Sequence, residues 1–531
     1  MRIRIKSKTG AGSRGESTPV RALFYILFLA TFSVVLRSYG MDRKASGEHT
    51  LPTDPFSHHV SADSTYREQL EKQIPVLMRK ARIPGLAIAV IHPGKETWTG
   101  TFGYQNTHRK ILMTEESVFE AASLSKPVFA YLMIKLVEDG VLDLDTPFLE
   151  KVPETYLIKT FFHTRDYDDR YRQITLRMVL SHQTGLPNWR AGEEAPAFVS
   201  SPGKEFIYSG EGLMFAQRAV EYLTGVSLER LMEEKVFRPL GMTRSCYVWK
   251  KEFRHDFAVG YDMRGKESKK EKMKQAMAPY SIYTTVNDYA CFLKALIDGR
   301  GLQPGTMEEM LCVQIRVSPS IGWGLGVGVQ ETGRGIIYWH WGDNANFRNF
   351  VAWNPEEKKG VVYFTNSFFG LSIGEDLVRL AMGGEHPAFH SELMSLYDRY
   401  DSAEMRFLTT LVDKGLDEAR KENAIVREEV LVDFAIKTLK EGKISNAISI
   451  LEFSVQFFPL SYQVSHALGD AYRIAGDIDR AVSQYKQSLE INPQNIMARE
   501  WIQILRNMHN RILYDRHLII DSPSGFNSDP E

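Results

Sequence analysis

Ser123 and Lys126 stand three residues apart in Phe119-Glu120-Ala121-Ala122-Ser123-Leu124-Ser125-Lys126, where a stretch patterned as a helix begins. Residues three apart share one face of a helix, so the lysine amine is expected beside the serine hydroxyl. A serine hydroxyl is a poor nucleophile at neutral pH and needs a base within hydrogen-bond reach. Lysine serves as that base only where burial or positive neighbours keep it neutral. The start of a helix adds backbone N–H groups that can face an oxyanion. The chemistry these parts suit is attack on a carbonyl.

The S-x-x-K spacing is weak by itself, because Ser201-Pro202-Gly203-Lys204 and Ser483-Gln484-Tyr485-Lys486 match it too. Context separates the three. Ser201 lies on a Pro-Gly turn, and Ser483 on a repeat helix whose lysine is expected in solvent. Only Ser123 has strand-like residues before it, a helix after it and two further motifs downstream. These are Tyr208-Ser209-Gly210, ahead of a helix from Glu211, and His340-Trp341-Gly342 at the end of a strand. Taken singly, Tyr208 reads as a half-buried aromatic and His340 as a strand-end histidine; their joint occurrence in order makes a candidate site. His182 reads as structural, since it sits in a turn-rich stretch with no base partner implied. Glycines 322, 324, 326 and 328 alternate without phosphate-loop spacing and read as a flexible or closely packed strand. No G-x-S-x-G elbow supports an α/β-hydrolase triad.

The elements that must position these residues are legible in outline. Ser64 to Arg82 has apolar residues at helical spacing and stops before Ile83-Pro84-Gly85. Leu86 to Ile91 and Thr97 to Tyr104 flank His92-Pro93-Gly94-Lys95 as a β-hairpin. Ile336 to His340 and Val361 to Thr365 read as later strands, and Ser125 to Asp139 and Glu211 to Leu223 as helices. Strands at both ends with helices between predict an α+β or α/β sandwich, an antiparallel sheet with helices, over residues 62–385.

The C-terminal part has a different pattern. Gly442, Ala447 and Pro459 recur 34 residues later as Gly476, Ala481 and Pro493. That period with those residue types resembles the tetratricopeptide repeat, an all-α unit whose small residues let two helices pack closely. The expected layout is a helical linker at 386–424, repeats at 425–510, and a polar tail at 511–531 without fixed structure.

Bulk composition bounds the rest. The chain has 531 residues, 43% hydrophobic and 25% charged, with 65 Lys plus Arg against 66 Asp plus Glu. Two or three globular domains fit that length, and the balanced charge gives no reason to expect nucleic acid. Cys246, Cys291 and Cys312 are widely spaced, which argues against a disulfide framework or zinc site. Residues 1–45 break the balance: six basic residues from Arg2 to Arg21 precede an uncharged, mostly apolar run from Ala22 to Leu36. This is the layout of a secretory signal, with Ser38 and Gly40 placed for cleavage before Met41. The run is shorter than the about 20 residues that normally span a bilayer, so cleavage is favoured over retention as a membrane anchor. Either way the remainder is expected to be exported to an extracytoplasmic or periplasmic location.

With the three motifs in this order, residues 65 to 385 resemble the class C β-lactamase, DD-peptidase, D-aminopeptidase and carboxylesterase family, whose signatures are S-x-x-K, Y-x-N and K-T-G or H-x-G. Leu180-Ser181-His182-Gln183-Thr184-Gly185-Leu186, Thr284-Thr285-Val286-Asn287-Asp288-Tyr289 and Gly322-Trp323-Gly324-Leu325-Gly326 are similar to the family as well. The resemblance implies that Ser123 attacks an ester or amide carbonyl to give an acyl-enzyme that water later hydrolyses. Lys126 and Tyr208 would share the proton transfers, with the base left open between them. The backbone N–H groups of Ser123 and Asp343 would form the oxyanion hole, where one donor is worth on the order of 100 to 1,000 in rate. His340 would line the strand edge beside the substrate, and Gly342 would allow close backbone approach. No metal or organic cofactor is implied.

Two departures bear on substrate. Gly210 stands where the family usually has an Asn that contacts the substrate amide, and His340 replaces a lysine that would hold a penicillin carboxylate. Both favour an esterase or peptidase over an antibiotic-destroying lactamase. The alternative is an inactive lactamase-like scaffold whose repeats bind protein partners; the repeats are the expected protein-binding part in either case.

Overall fold

The computed structural model describes residues 66–506, apart from 191–194, 269–271, 396, 423 and 425. The leader of residues 1–45 and the tail of 511–531 lie outside the described residues. No helix among the described residues is long and apolar enough to cross a membrane.

Helix α1 (Tyr66–Ala81) ends as expected before the hairpin of β1 (Gly85–Ile91) and β2 (Trp98–Asn106). Short β3 (Ile111–Leu112) and β4 (Phe119–Glu120) lead to α2 (Ser125–Glu138). The middle of the chain supplies α3 (Gly210–Thr224), β5 (Tyr283–Thr284) and α4 (Val286–Asp298). Then come β6 (Ile315–Ser318), β7 (Ile321–Trp323), β8 (Gly328–Thr332), β9 (Gly335–Asp343), β10 (Arg348–Asn354) and β11 (Lys359–Thr365), followed by α5 (Gly374–Met382).

Nine strands form one antiparallel sheet in the order β3-β2-β1-β11-β10-β9-β8-β7-β6, so the N-terminal hairpin closes onto the last strand. Side chains alternate across it as a period of two requires. Ala87, Ala89, Val351, Val362 and Phe364 face one core, shared with α2 and α4. Leu86, Ile88, Val90, Phe350, Val361 and Tyr363 face the other, shared with α1 and α5. Coverage of both faces explains why β1 and β11 read as unbroken apolar runs. The alternating glycines are sites of close packing: a Cβ at Gly328 would lie 2.7 Å from the Trp339 ring, and one at Gly326 2.3 Å from Ala130 Cβ.

Beyond the sandwich, α6 (Ala403–Lys414) precedes α7 (Glu428–Lys440), α8 (Ile444–Phe457), α9 (Tyr462–Ala475) and α10 (Ile478–Ile491). Both α9 and α10 begin 34 residues after α7 and α8, matching the period read in the sequence. Gly442 and Gly476 end the first helix of each pair at φ +78° and +83°, a conformation that costs a side chain. Gly469 lets Tyr485 pack against its backbone. The segment before these helices lies on the sheet rather than free of it: Phe389 stacks on Phe350 at 4.6 Å between ring centroids. Glu441 pairs with Arg264 at 2.7 Å and with Lys266, and Asp413 pairs with Arg82, so the helical part is tied to the sandwich by charge as well.

Candidate active site

The turn that carries Ser123 is strained and firmly held. Ala122 takes φ +54°, a left-handed value uncommon for a residue with a Cβ, and costs of this kind run to about 1–3 kcal/mol. Its surroundings hold it there. Ser125 Oγ donates to the Ala122 carbonyl at 2.7 Å and accepts from the Ile282 amide at 3.1 Å. Asn349 on β10 donates to the Glu120 carbonyl at 2.9 Å, and the Tyr289 hydroxyl donates to the Leu124 carbonyl at 2.9 Å. Ser123 itself is partly exposed and so within reach of a ligand.

Lys126, one turn further on, is buried, with Nζ 2.9 Å from Ser123 Oγ and 3.0 Å from the Pro279 carbonyl. Burial holds its pKa down at about 7, so a large share of the amine is neutral at neutral pH. The Pro279 carbonyl is set in place by Gln217 on α3, which donates to the Ala276 carbonyl at 2.8 Å and accepts from the Ala278 amide at 2.9 Å. Tyr208 completes the group, its ring centroid 4.8 Å from Lys126 Nζ. The Tyr208 hydroxyl is enclosed and, among the described residues, has no hydrogen-bond partner of ordinary geometry. Burial pushes its pKa up, against a smaller downward pull from Ser123, so the phenol stays protonated. The ring is fixed between Trp341, stacked at 4.9 Å, and His182, at 4.5 Å. His182 accepts a 3.1 Å bond from the Ser209 amide, and burial with nearby Lys126 keeps it neutral. His182 is thus a buried, neutral ring packed against Tyr208.

The end of β9 runs directly past the serine turn. A Cβ at Gly342 would lie 2.4 Å from the Ala121 carbonyl and 3.3 Å from Ala122 Cβ, so only glycine permits the approach. Asp343 follows, its carboxylate accepting from the Ala345 amide at 2.6 Å and paired with Arg348 at 3.2 Å. Ser123, Lys126, Tyr208, Gly342 and Asp343 are thus gathered around one turn. A serine hydroxyl beside a neutral amine, with an enclosed phenol and a strand edge alongside, is equipped for acyl transfer. The other two S-x-x-K matches are not assembled this way: Ser201, Lys204, Ser483 and Lys486 are all exposed.

A family model described as Beta-lactamase matches residues 68–381. The chain belongs to the β-lactamase family. Its members are serine hydrolases. Protein flp of Staphylococcus aureus strain N315 is 23% identical over 327 residues, covering 56% of this chain and 63% of that protein. The chain therefore spans less than two thirds of the length of that relative. The mouse mitochondrial serine beta-lactamase-like protein LACTB is 30% identical over 158 residues, 28% of this chain and 27% of that one. Among solved structures, the octameric penicillin-binding protein homologue of Pyrococcus abyssi shares the fold with TM-score 0.50 and 23% identity, over 65% of this chain and 81% of that one. The D-alanine carboxypeptidase AmpC of Burkholderia cenocepacia does so with TM-score 0.50 and 21% identity, over 57% and 94%.

Within this β-lactamase-family frame two expected substrate contacts are placed differently. The His340 ring is fully buried, 5.4 Å from Trp323 and 6.2 Å from Tyr208 between centroids, so it offers no surface to a ligand and does not line the strand edge. The cause is the inward side of β9, where large aromatics cover the position. Its Nδ1 lies 2.7 Å from the Trp341 carbonyl, its Nε2 has no partner among the described residues, and burial beside Lys126 holds its pKa down at about 3. Gly210 is covered by Trp189: a Cβ there would lie 2.8 Å from the indole and 2.9 Å from the Asn188 carbonyl. Trp189 is about half exposed and meets Tyr280 edge-on at 5.4 Å, forming an aromatic wall. Arg190 and Glu211, paired at 2.6 Å, staple that loop to α3. Trp189, Tyr280, Gln217 and Asn349 escaped the sequence reading because none belongs to a spaced motif.

Proposed function

We propose that this protein is an exported serine hydrolase that acts through an acyl-enzyme on ester or amide substrates, as an esterase or peptidase in preference to a penicillin-destroying enzyme. The observation that carries the reading is the buried Lys126 amine, with its pKa at about 7, 2.9 Å from Ser123 Oγ. Neutral Lys126 takes the Ser123 proton as Oγ bonds to the substrate carbonyl carbon. The carbonyl oxygen becomes an oxyanion facing the Ser123 and Asp343 amides. Collapse expels the leaving group, which takes a proton from Tyr208, and Lys126 restores that proton to the phenol. Water then attacks the acyl-enzyme by the same route in reverse. The raised pKa of Tyr208 favours it as proton carrier and leaves Lys126 as the base.

Two features support the substrate preference. A neutral His340 supplies no charge for a penicillin carboxylate, and Arg348 is already paired with Asp343. Beside Tyr208, the surface over Gly210 is the Trp189 indole, which suits apolar acyl groups. The test is turnover of p-nitrophenyl esters from acetate to octanoate, D-alanine p-nitroanilide and a chromogenic cephalosporin by the wild type and Ser123→Ala. Ester or anilide hydrolysis that exceeds cephalosporin hydrolysis and disappears in Ser123→Ala is expected. Turnover unchanged in Ser123→Ala, or cephalosporin as the best substrate, would overturn the reading.

A further inference from the structure

Trp341 lies between His340 and Gly342 on β9, and its ring is one wall of the Tyr208 site. A buried indole N–H normally needs a hydrogen-bond acceptor. Among the described residues those of Trp323, Trp339 and Trp353 in the same sheet have none, whereas Trp341 Nε1 donates to the Tyr397 hydroxyl at 3.1 Å. Tyr397 lies outside residues 68–381, the part of the chain that matches the family. Burial, with a smaller contribution from the Asp343 carboxylate, pushes the Tyr397 phenol pKa up, so it stays protonated. Arg348 closes the arrangement: it pairs with Asp343 at 3.2 Å and lies over the Tyr397 ring at 5.1 Å. One side chain from the C-terminal extension thus meets Trp341 directly and Asp343 through Arg348, the residues on either side of Gly342.

We propose that Tyr397 is a positioning residue for the hydrolase site: it fixes the Trp341 ring against Tyr208 and the Asp343 end of β9 against the Ser123 turn. The extension after the sandwich is by this account part of the active site. Tyr397 touches none of the reacting groups and acts through Trp341 and Asp343. Misplacing such supports costs turnover more than binding, because the geometry they set matters most in the transition state. The inference rests on the acyl-enzyme reading above.

The test uses the full chain with p-nitrophenyl butyrate as substrate and a fluorophosphonate probe for Ser123, in wild type, Tyr397→Phe, Trp341→Phe and the double variant. Phenylalanine at 397 keeps a ring under Arg348 and removes only the hydroxyl. The expected result is a kcat about tenfold lower in Tyr397→Phe with KM within about twofold, slower labelling of Ser123, and a double variant no slower than the slower single one. Coupling of that kind separates a shared contact from two independent structural losses. Unchanged kcat in Tyr397→Phe, or losses that simply multiply in the double variant, would overturn the positioning role while wild-type labelling upholds the hydrolase. A folded wild type that neither turns over nor labels would overturn both.

Discussion

Replacing Lys126 with methionine should abolish activity and stabilise the protein at neutral pH. Methionine matches the length of the lysine stem and carries no charge. In the unfolded chain the amine titrates near its ordinary 10.5; in the folded protein burial lowers this to about 7. A displacement of that size corresponds to roughly 5 kcal/mol against the charged form. The direction in pH follows from proton binding. Between about 7 and 10.5 the unfolded state holds more protons, so stability rises with pH through that window and the full cost applies below about 7. Against this gain, methionine leaves the Pro279 carbonyl without its 3.0 Å donor, a loss of about 1–3 kcal/mol. The net expectation is a variant about 2 kcal/mol more stable than wild type at pH 6, falling to equal or less stable near pH 10. Urea denaturation from pH 6 to 10 reads the difference. A variant less stable than wild type at pH 6, or a difference independent of pH, would refute the claim that Lys126 is a buried, destabilised base.

Further outcomes follow from the same geometry. Gly342→Ala forces a methyl to within 2.4 Å of the Ala121 carbonyl, so turnover should fall at least a hundredfold in steady-state assays while circular dichroism stays near wild type. Gln217→Leu frees the loop that presents the Pro279 carbonyl; the acid limb of the kcat/KM profile, expected near 7 in the wild type from the Lys126 pKa, should move and kcat should drop about tenfold. Gly210→Asn collides with Trp189 and with the Asn188 carbonyl and should destabilise the protein by about 1–3 kcal/mol, read by thermal denaturation, with Gly210→Asn/Trp189→Ala recovering only the part due to the indole.

The sandwich was readable because its strands are covered on both faces and so appear as apolar runs such as Leu86 to Ile91, while α2 and α3 follow their motifs directly. Ser123, Lys126 and Tyr208 were readable because helical spacing and motif order place them without knowledge of loops. His340 shows the limit. Its position after a strand is local information, but whether its ring meets ligand or core depends on Trp323 and Tyr208, which come from distant segments. Trp189 over Gly210, Gln217 holding the 276–278 loop and Tyr397 under Trp341 are likewise long-range contacts between residues of no special spacing. The period of 34 was legible in Gly442, Ala447 and Pro459 because each repeat is a local unit, and the helix starts of α7 to α10 follow the same spacing; how those helices attach, through Glu441 to Arg264, was not encoded locally.

The measurement that bears most directly on the central claim is the rate at which a fluorophosphonate labels the full chain as a function of pH, followed by intact mass, with Ser123→Ala alongside. One adduct on the wild type, none on Ser123→Ala, and a labelling rate that rises with pH through a midpoint near 7, where Lys126 loses its proton, are expected. A folded wild type that takes no adduct, an adduct that persists in Ser123→Ala, or a midpoint near the ordinary 10.5 of an exposed lysine would contradict that claim.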